Sequence, residues 1–136
     1  MSNSYELILK VPFYDLDPMK VVWHGNYFKY FDQARFALFE RYNIDLYEYL
    51  HEKRYAFPIT RTSIKHIFPL RYNDEFICKA FVTEAKYKIV TNFEIRLTRD
   101  KTMCAKGKSE QLAVKLPEME LQFEIPADIR SALGLG

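Results

Sequence analysis

The stretch NYFKYFDQARFALFER, Asn26–Arg41, decides the fold. Tyr27, Phe31, Ala34 and Leu38 recur at the spacing of one helical face. Phe28, Tyr30, Phe36, Ala37 and Phe39 carry the apolar surface round most of the cylinder. Only Lys29, Asp32, Gln33 and Glu40 form a narrower polar stripe. A helix so nearly apolar all round must be wrapped by other structure. Asn26 reads as its N-cap.

Before the helix, Tyr5–Phe13 reads as a strand closed by Pro12, and Asp15–Trp23 as a loop of partly extended character. After it, DLYEYLHEK (Asp45–Lys53) reads as a shorter helix capped by Asp45. The period then changes. FPITRTSIKHIFPL is extended and RYND (Arg71–Asp74) is a turn. EFICKAFVTEAKYK and IVTNFEIRLTR alternate, with Phe93, Ile95 and Leu97 on one face. DKT turns the chain into MCAKGKSEQLAVKLP, and PADIRSALG reads as a helix with Pro126 near its start. Strands joined by short turns pair antiparallel. The expected architecture is α+β: a single antiparallel sheet curled around one long central helix.

The 136 residues suit one domain over 1–136, and no linker or repeat divides them. A composition 49% hydrophobic and 16% aromatic supports a packed core and excludes a disordered chain. Twenty basic against 18 acidic residues, net +2, argue against a nucleic-acid binder but allow a local basic patch for an anionic small molecule. No apolar run is long enough for membrane insertion, and MSNSYELILKV lacks the features of a signal peptide, so the expected location is cytoplasmic. Cys78 and Cys104 lack metal-type spacing and read as free, buried thiols.

The helix start is the candidate site. Asp15 and Asp17 bracket Leu16, and His24 follows Asp17 by seven residues. Taken singly, these are turn aspartates before Pro18 and a histidine packed at a helix start. As a trio they could ligate a metal, although no second histidine lies nearby in sequence. The Asp-x-Asp of haloacid dehalogenase-like enzymes fits poorly, because it needs a parallel, alternating α/β sheet. Unpaired N–H groups and the dipole at a helix start favour negative charge. A carbonyl held there is polarised towards an oxyanion. A carboxylate on the adjoining loop can attack it or activate water. Acid, histidine and helix start together suit acyl transfer.

At DLDP (Asp15–Pro18), VVWHGNY (Val21–Tyr27) and DQAR (Asp32–Arg35) the sequence resembles the hotdog-fold acyl-CoA thioesterases of the 4-hydroxybenzoyl-CoA thioesterase and YbgC type. The resemblance extends over about Tyr5 to Pro117. It implies the same helix-in-sheet fold and hydrolysis of an acyl-CoA or acyl-carrier-protein thioester to free acid and thiol, without cofactor or metal. It implies Asp17 as the catalytic carboxylate, nucleophile or general base, and His24 as both oxyanion amide and assisting side chain. Tyr14, Trp23, Gly25, Asn26 and Tyr27 are then substrate-binding. The family's phosphate-binding basic segment falls at Lys86 to Lys88. A homodimer or tetramer follows, with the thioester between subunits. The family often has glycine where this chain has Lys20, a change that bears on the loop's shape. Asp32 and Arg35, three apart on the helix, read as a structural ion pair.

Two other functions compete. A hotdog dehydratase of 3-hydroxyacyl thioesters pairs its histidine with an acid from the helix, whereas here the acid precedes the histidine on the loop. The other is a non-catalytic acyl-thioester binder.

Overall fold

The computed structural model describes residues 3–135. Its elements run β1 (Ser4–Lys10), a 3-10 turn (Phe13–Asp15), α1 (Asn26–Arg41), α2 (Leu46–His51), β2 (Tyr55–Ala56), β3 (Ile59–His66), β4 (Glu75–Glu84), β5 (Ile89–Leu97), β6 (Met103–Gln111), β7 (Val114–Lys115), β8 (Glu120–Leu121) and α3 (Ala127–Ala132). Five strands form one antiparallel sheet in the order β1-β4-β5-β6-β3. A small second sheet, β2-β7-β8, was not expected from the sequence; its two-residue strands are too short for a period to show.

The alternation read in β4 and β5 is real. Phe76, Cys78, Ala80 and Val82 of β4 and Ile89, Thr91, Phe93, Ile95 and Leu97 of β5 turn inward. Against them lies α1, burying Tyr27, Tyr30, Phe31, Ala34, Leu38 and Phe39. Phe31 stacks on Phe93 with ring centroids 4.5 Å apart. It also lies over Gly107 of β6, where a Cβ would sit 2.3 Å from the ring. Gly107 therefore sets how closely the helix can approach the sheet.

Local chemistry explains most boundaries. β1 ends at Lys10, three residues earlier than expected, because Pro12 has no N–H for a ladder and Val11 already donates to the Asp74 carbonyl. Asp45 caps α2 through a bond from the Glu48 amide, as read, but the helix stops at His51 rather than Lys53. Arg54 then turns the chain with φ 62°. RYND is a turn in which the Arg71 N–H donates to the Asp74 carboxylate and Asn73 has φ 67°.

The wrapping of α1 is one-sided. Phe28 and Phe36 remain 37% and 54% exposed, and Ile59 of β3, which shares a hollow with Phe28, is open as well. β3 is an edge of the sheet, and only Ile64 along it is even half-buried. Eight residues of unpaired edge next to bare phenylalanines is a surface that chains ordinarily cover.

Gly107→Ala is expected to destabilise the fold by about 1–3 kcal/mol, the cost of overpacking. Adding Phe31→Leu should recover part of that loss, since the smaller side chain admits the methyl group. Urea unfolding of the two single variants and the double variant measures the coupling; strictly additive losses would mean that Phe31 is not what Gly107 accommodates.

Candidate active site

Asp15 organises the loop before α1. It is 3% exposed, and its carboxylate accepts from Lys29 Nζ at 2.7 Å and from the Tyr30 hydroxyl at 2.6 Å, both on α1. Its carbonyl accepts from the Trp23 N–H at 3.0 Å and from Asn26 Nδ2 at 2.9 Å. The loop is thus pinned to the helix from both ends. Burial, chiefly, and the hydrogen bond to Asp15 push the Tyr30 hydroxyl far above its ordinary pKa. It remains a donor at any working pH. Because Asp15 is turned into α1, the metal trio of Asp15, Asp17 and His24 does not assemble.

Asn26 is not the N-cap. It is the first helical residue, its amide spent on the Asp15 carbonyl, and Gly25 takes the cap position without a side-chain cap. Among the described residues the backbone N–H groups of His24 and Gly25 meet no acceptor. The helix start therefore presents unpaired donors with the positive end of the dipole behind them. Gly25 is needed for space: a Cβ there would lie 2.2 Å from the Trp23 ring. That ring packs against His24, centroids 5.1 Å apart.

Asp17 shares a cleft with this helix start. Its Oδ1 accepts from the Met19 N–H at 2.8 Å, and its backbone pairs with Val21 and Lys20 to close a tight turn. Lys20 adopts φ 65°, the left-handed region that glycine enters most easily. Lys20 thus holds, at a cost in strain, a backbone conformation that glycine enters freely.

A cleft of about 230 Å³ joins these pieces. Asp17, Met19, Val21, Val22, His24 and Tyr27 line one side, and His66, Ile67, Phe68 and Pro69 the other. Tyr27 is buried; its hydroxyl accepts from the Leu70 N–H at 3.3 Å, and its pKa is raised mainly by burial. Its ring meets His66 edge-on at 4.8 Å. His66 in turn stands 6.5 Å from His24. Burial first, and the neighbouring His24 second, lower its pKa below the usual histidine value. Sequence reading missed His66. It lies 42 residues beyond His24, and only the register of β3 against β6 carries it back to the helix start.

The remaining candidates fall elsewhere. Trp23, Gly25 and Asn26 flank the cleft but do not line it. Tyr14 projects into solvent with Lys29 near its ring. Lys86 and Lys88 occupy the β4–β5 turn, where Lys88 pairs with Glu110 at 3.1 Å and Lys86 lies over the Tyr87 ring. Ile89 pairs with Gln111, six residues along β6 from the Ala105 that faces His66. That puts this turn about 20 Å from the cleft along the strand in the same chain. Asp32 and Arg35 form the expected ion pair. Burial raises the Cys78 and Cys104 thiols to about 12 and about 11, so neither is a ready nucleophile. A larger hollow of about 560 Å³, lined by Phe36, Phe39 and Tyr47 among others, lies at the far end of α1 and holds no histidine.

A carboxylate that shares a small cleft with the unpaired amide of a helix start is equipment for attack on a polarised carbonyl. Comparison with known proteins gives this arrangement a family. The thioesterase-like superfamily matches residues 11–133, and the chain belongs to it. Among curated relatives, the acyl-CoA thioesterase YbgC of Haemophilus influenzae is 25% identical over 132 residues, covering 97% of this chain and 96% of its own. The chloroplastic acyl-acyl carrier protein thioesterase ATL3 of Arabidopsis thaliana is 31% identical over 134 residues, covering 96% and 68%. Solved structures share the hotdog fold. A 1,4-dihydroxy-2-naphthoyl-CoA thioesterase from Synechocystis superposes with TM-score 0.89 at 17% identity, covering 96% of both chains. An aspartate-to-asparagine variant of a 4-hydroxybenzoyl-CoA thioesterase, complexed with 4-hydroxybenzoyl-CoA, superposes with TM-score 0.88 at 18% identity, covering 96% of this chain and 99% of its own.

Lys20→Gly is expected to stabilise the protein by about 0.5 kcal/mol. Relief of the left-handed strain, about 1–2 kcal/mol, is offset by about 0.5–1 kcal/mol of added unfolded-state entropy. The urea midpoint should rise with unchanged slope. A fall would mean that the lysine side chain makes a contribution of its own to the turn.

Proposed function

We propose that this thioesterase hydrolyses an acyl-CoA to free acid and CoA, with Asp17 as its reactive carboxylate and the His24 amide as oxyanion donor. The observation that carries this reading is that Asp17 and His24 line one cleft at a helix start whose His24 and Gly25 N–H groups meet no acceptor among the described residues. The relatives' activities support the chemistry, and an aspartate-to-asparagine variant holding an acyl-CoA, in a protein of the same fold, supports a decisive aspartate. The dehydratase alternative lacks its acid: no carboxylate of α1 lines the cleft among the described residues. No described group of three or more His, Cys, Asp or Glu residues is placed to hold a metal. Two buried, reduced thiols suit a reducing compartment, and we place the enzyme in the cytoplasm.

The working unit is a homodimer or a dimer of dimers. Two copies that pair their β3 edges antiparallel about a two-fold axis set the Ile59 end of one strand against the His66 end of the other. By strand spacing, the partner's β4–β5 turn then lies about 15 Å from this chain's cleft, nearer than the chain's own. An extended pantetheine arm can bridge that gap, with the thioester at Asp17 in one subunit and the phosphates at the other's Lys86 and Lys88. The same pairing lies beside Phe28, Phe36 and Ile59, which one chain leaves open.

Asp17→Asn keeps the side chain's size and removes its basic oxygen. It should lower kcat on the order of a hundredfold or more while acyl-CoA still binds. Thiol release from a panel of acyl-CoAs measures it, and near-normal turnover by the folded variant would refute the assignment. Reversing Lys86 and Lys88 to glutamate should raise KM for acyl-CoA far more than it lowers kcat, and should spare a short thioester without a nucleotide. A fully active monomer in sedimentation would defeat the two-subunit site.

A further inference from the structure

His66 ends β3, and the cleft is the place where that strand meets the helix start. Its ring is braced on one side by Tyr27, which is itself buried and tied to the Leu70 amide. On the other side it faces His24, with the ring planes at 82° and centroids 6.5 Å apart. No hydrogen bond joins the two rings among the described residues. Asp17 lines the same cleft, and its Oδ2 accepts no hydrogen bond among the described residues. Two imidazoles and a carboxylate thus line one cleft of about 230 Å³, which has room for a water molecule. A neutral imidazole both donates and accepts, which is what holding a water requires. The shift of the His66 pKa is downward, the direction that favours the neutral ring.

We propose that His66 is a second histidine of the reacting centre, holding with His24 the water that completes hydrolysis. The proposal rests on the thioester reading above and holds for either role of Asp17. If Asp17 is the base, the water oxygen bonds to the acyl carbon as its proton passes to Asp17. The C–S bond then breaks, and the departing thiolate takes that proton. If Asp17 is the nucleophile, it has already displaced the thiolate to form an anhydride. The held water then bonds to the acyl carbon, the bond to Asp17 breaks, and the released proton goes to the thiolate. Both routes consume one water and yield acid and thiol.

The test compares the wild-type protein with His66→Phe, which keeps a ring but cannot hydrogen-bond, and His66→Gln, which keeps a donor and an acceptor. Thiol release gives kcat and KM, and titration with a non-hydrolysable acyl-CoA thioether gives binding. His66→Phe should lose kcat on the order of a hundredfold, with KM and thioether binding within about threefold. His66→Gln should recover most of that loss. As a second line, His66→Ala should be rescued by added imidazole. Full kcat in His66→Phe overturns the proposal. Equal loss in His66→Phe and His66→Gln, without imidazole rescue of His66→Ala, also overturns it and leaves His66 a packing residue. A wild type that releases no thiol from any acyl-CoA defeats the thioester reading and this inference with it; turnover in the wild type with full kcat in His66→Phe defeats the inference alone.

Discussion

Everything in this molecule depends on how closely α1 lies against the sheet. Phe31 sets that distance: it stacks on Phe93 and lies over Gly107, where even a methyl group would intrude. Dispersion and apolar burial both rise steeply with such contact. The consequence reaches the cleft, because the residue that begins this packed helix face is Tyr27, one turn before Phe31. With α1 seated, Tyr27 reaches the Leu70 amide and the His66 ring, and Asp15 reaches Lys29 and Tyr30. The helix is both the core of the fold and the template of the site.

The two aspartates that bracket Leu16 show how environment divides like residues. Asp15, buried and doubly bonded, cannot turn towards a substrate without breaking the loop's attachment to α1. Asp17, two residues on, has one oxygen held by the Met19 amide and the other open to the cleft. The strained Lys20 lies within the turn that fixes this posture. Strain of this kind collects where geometry matters more than stability. Asp15 positions the loop that presents Asp17.

Local pattern was legible wherever it was strong. The extent of α1 was read closely, Asp45 and RYND did what their side chains dictate, and β4 and β5 showed their period. What failed was what pattern does not encode. Asn26 looked like a cap because its type favours that position, but a carbonyl eleven residues upstream claimed its amide. Pro12 closed β1 earlier than its apolar content suggested. His66 was invisible because its neighbours come from register. The site was half legible for the same reason: Asp17 and His24 are close in sequence, whereas the opposite wall of the cleft comes from β3 and the segment after it.

The long unpaired edge of β3 brings these threads together. An exposed eight-residue edge risks indiscriminate pairing, and this one carries no proline within Ile59–His66. Its side chains are mixed: Arg61 and Lys65 discourage random association, while Ile59 and Ile64 favour a specific partner. A monomer would leave that edge bare, Phe28 and Phe36 in solvent, and the basic β4–β5 turn remote from the cleft. The proposed two-fold pairing would answer all three at once, by satisfying the edge, covering exposed aromatic surface and carrying a basic turn towards the cleft. On that proposal the apolar surplus of α1 has a purpose: one side packs on its own chain, and the other on a second copy.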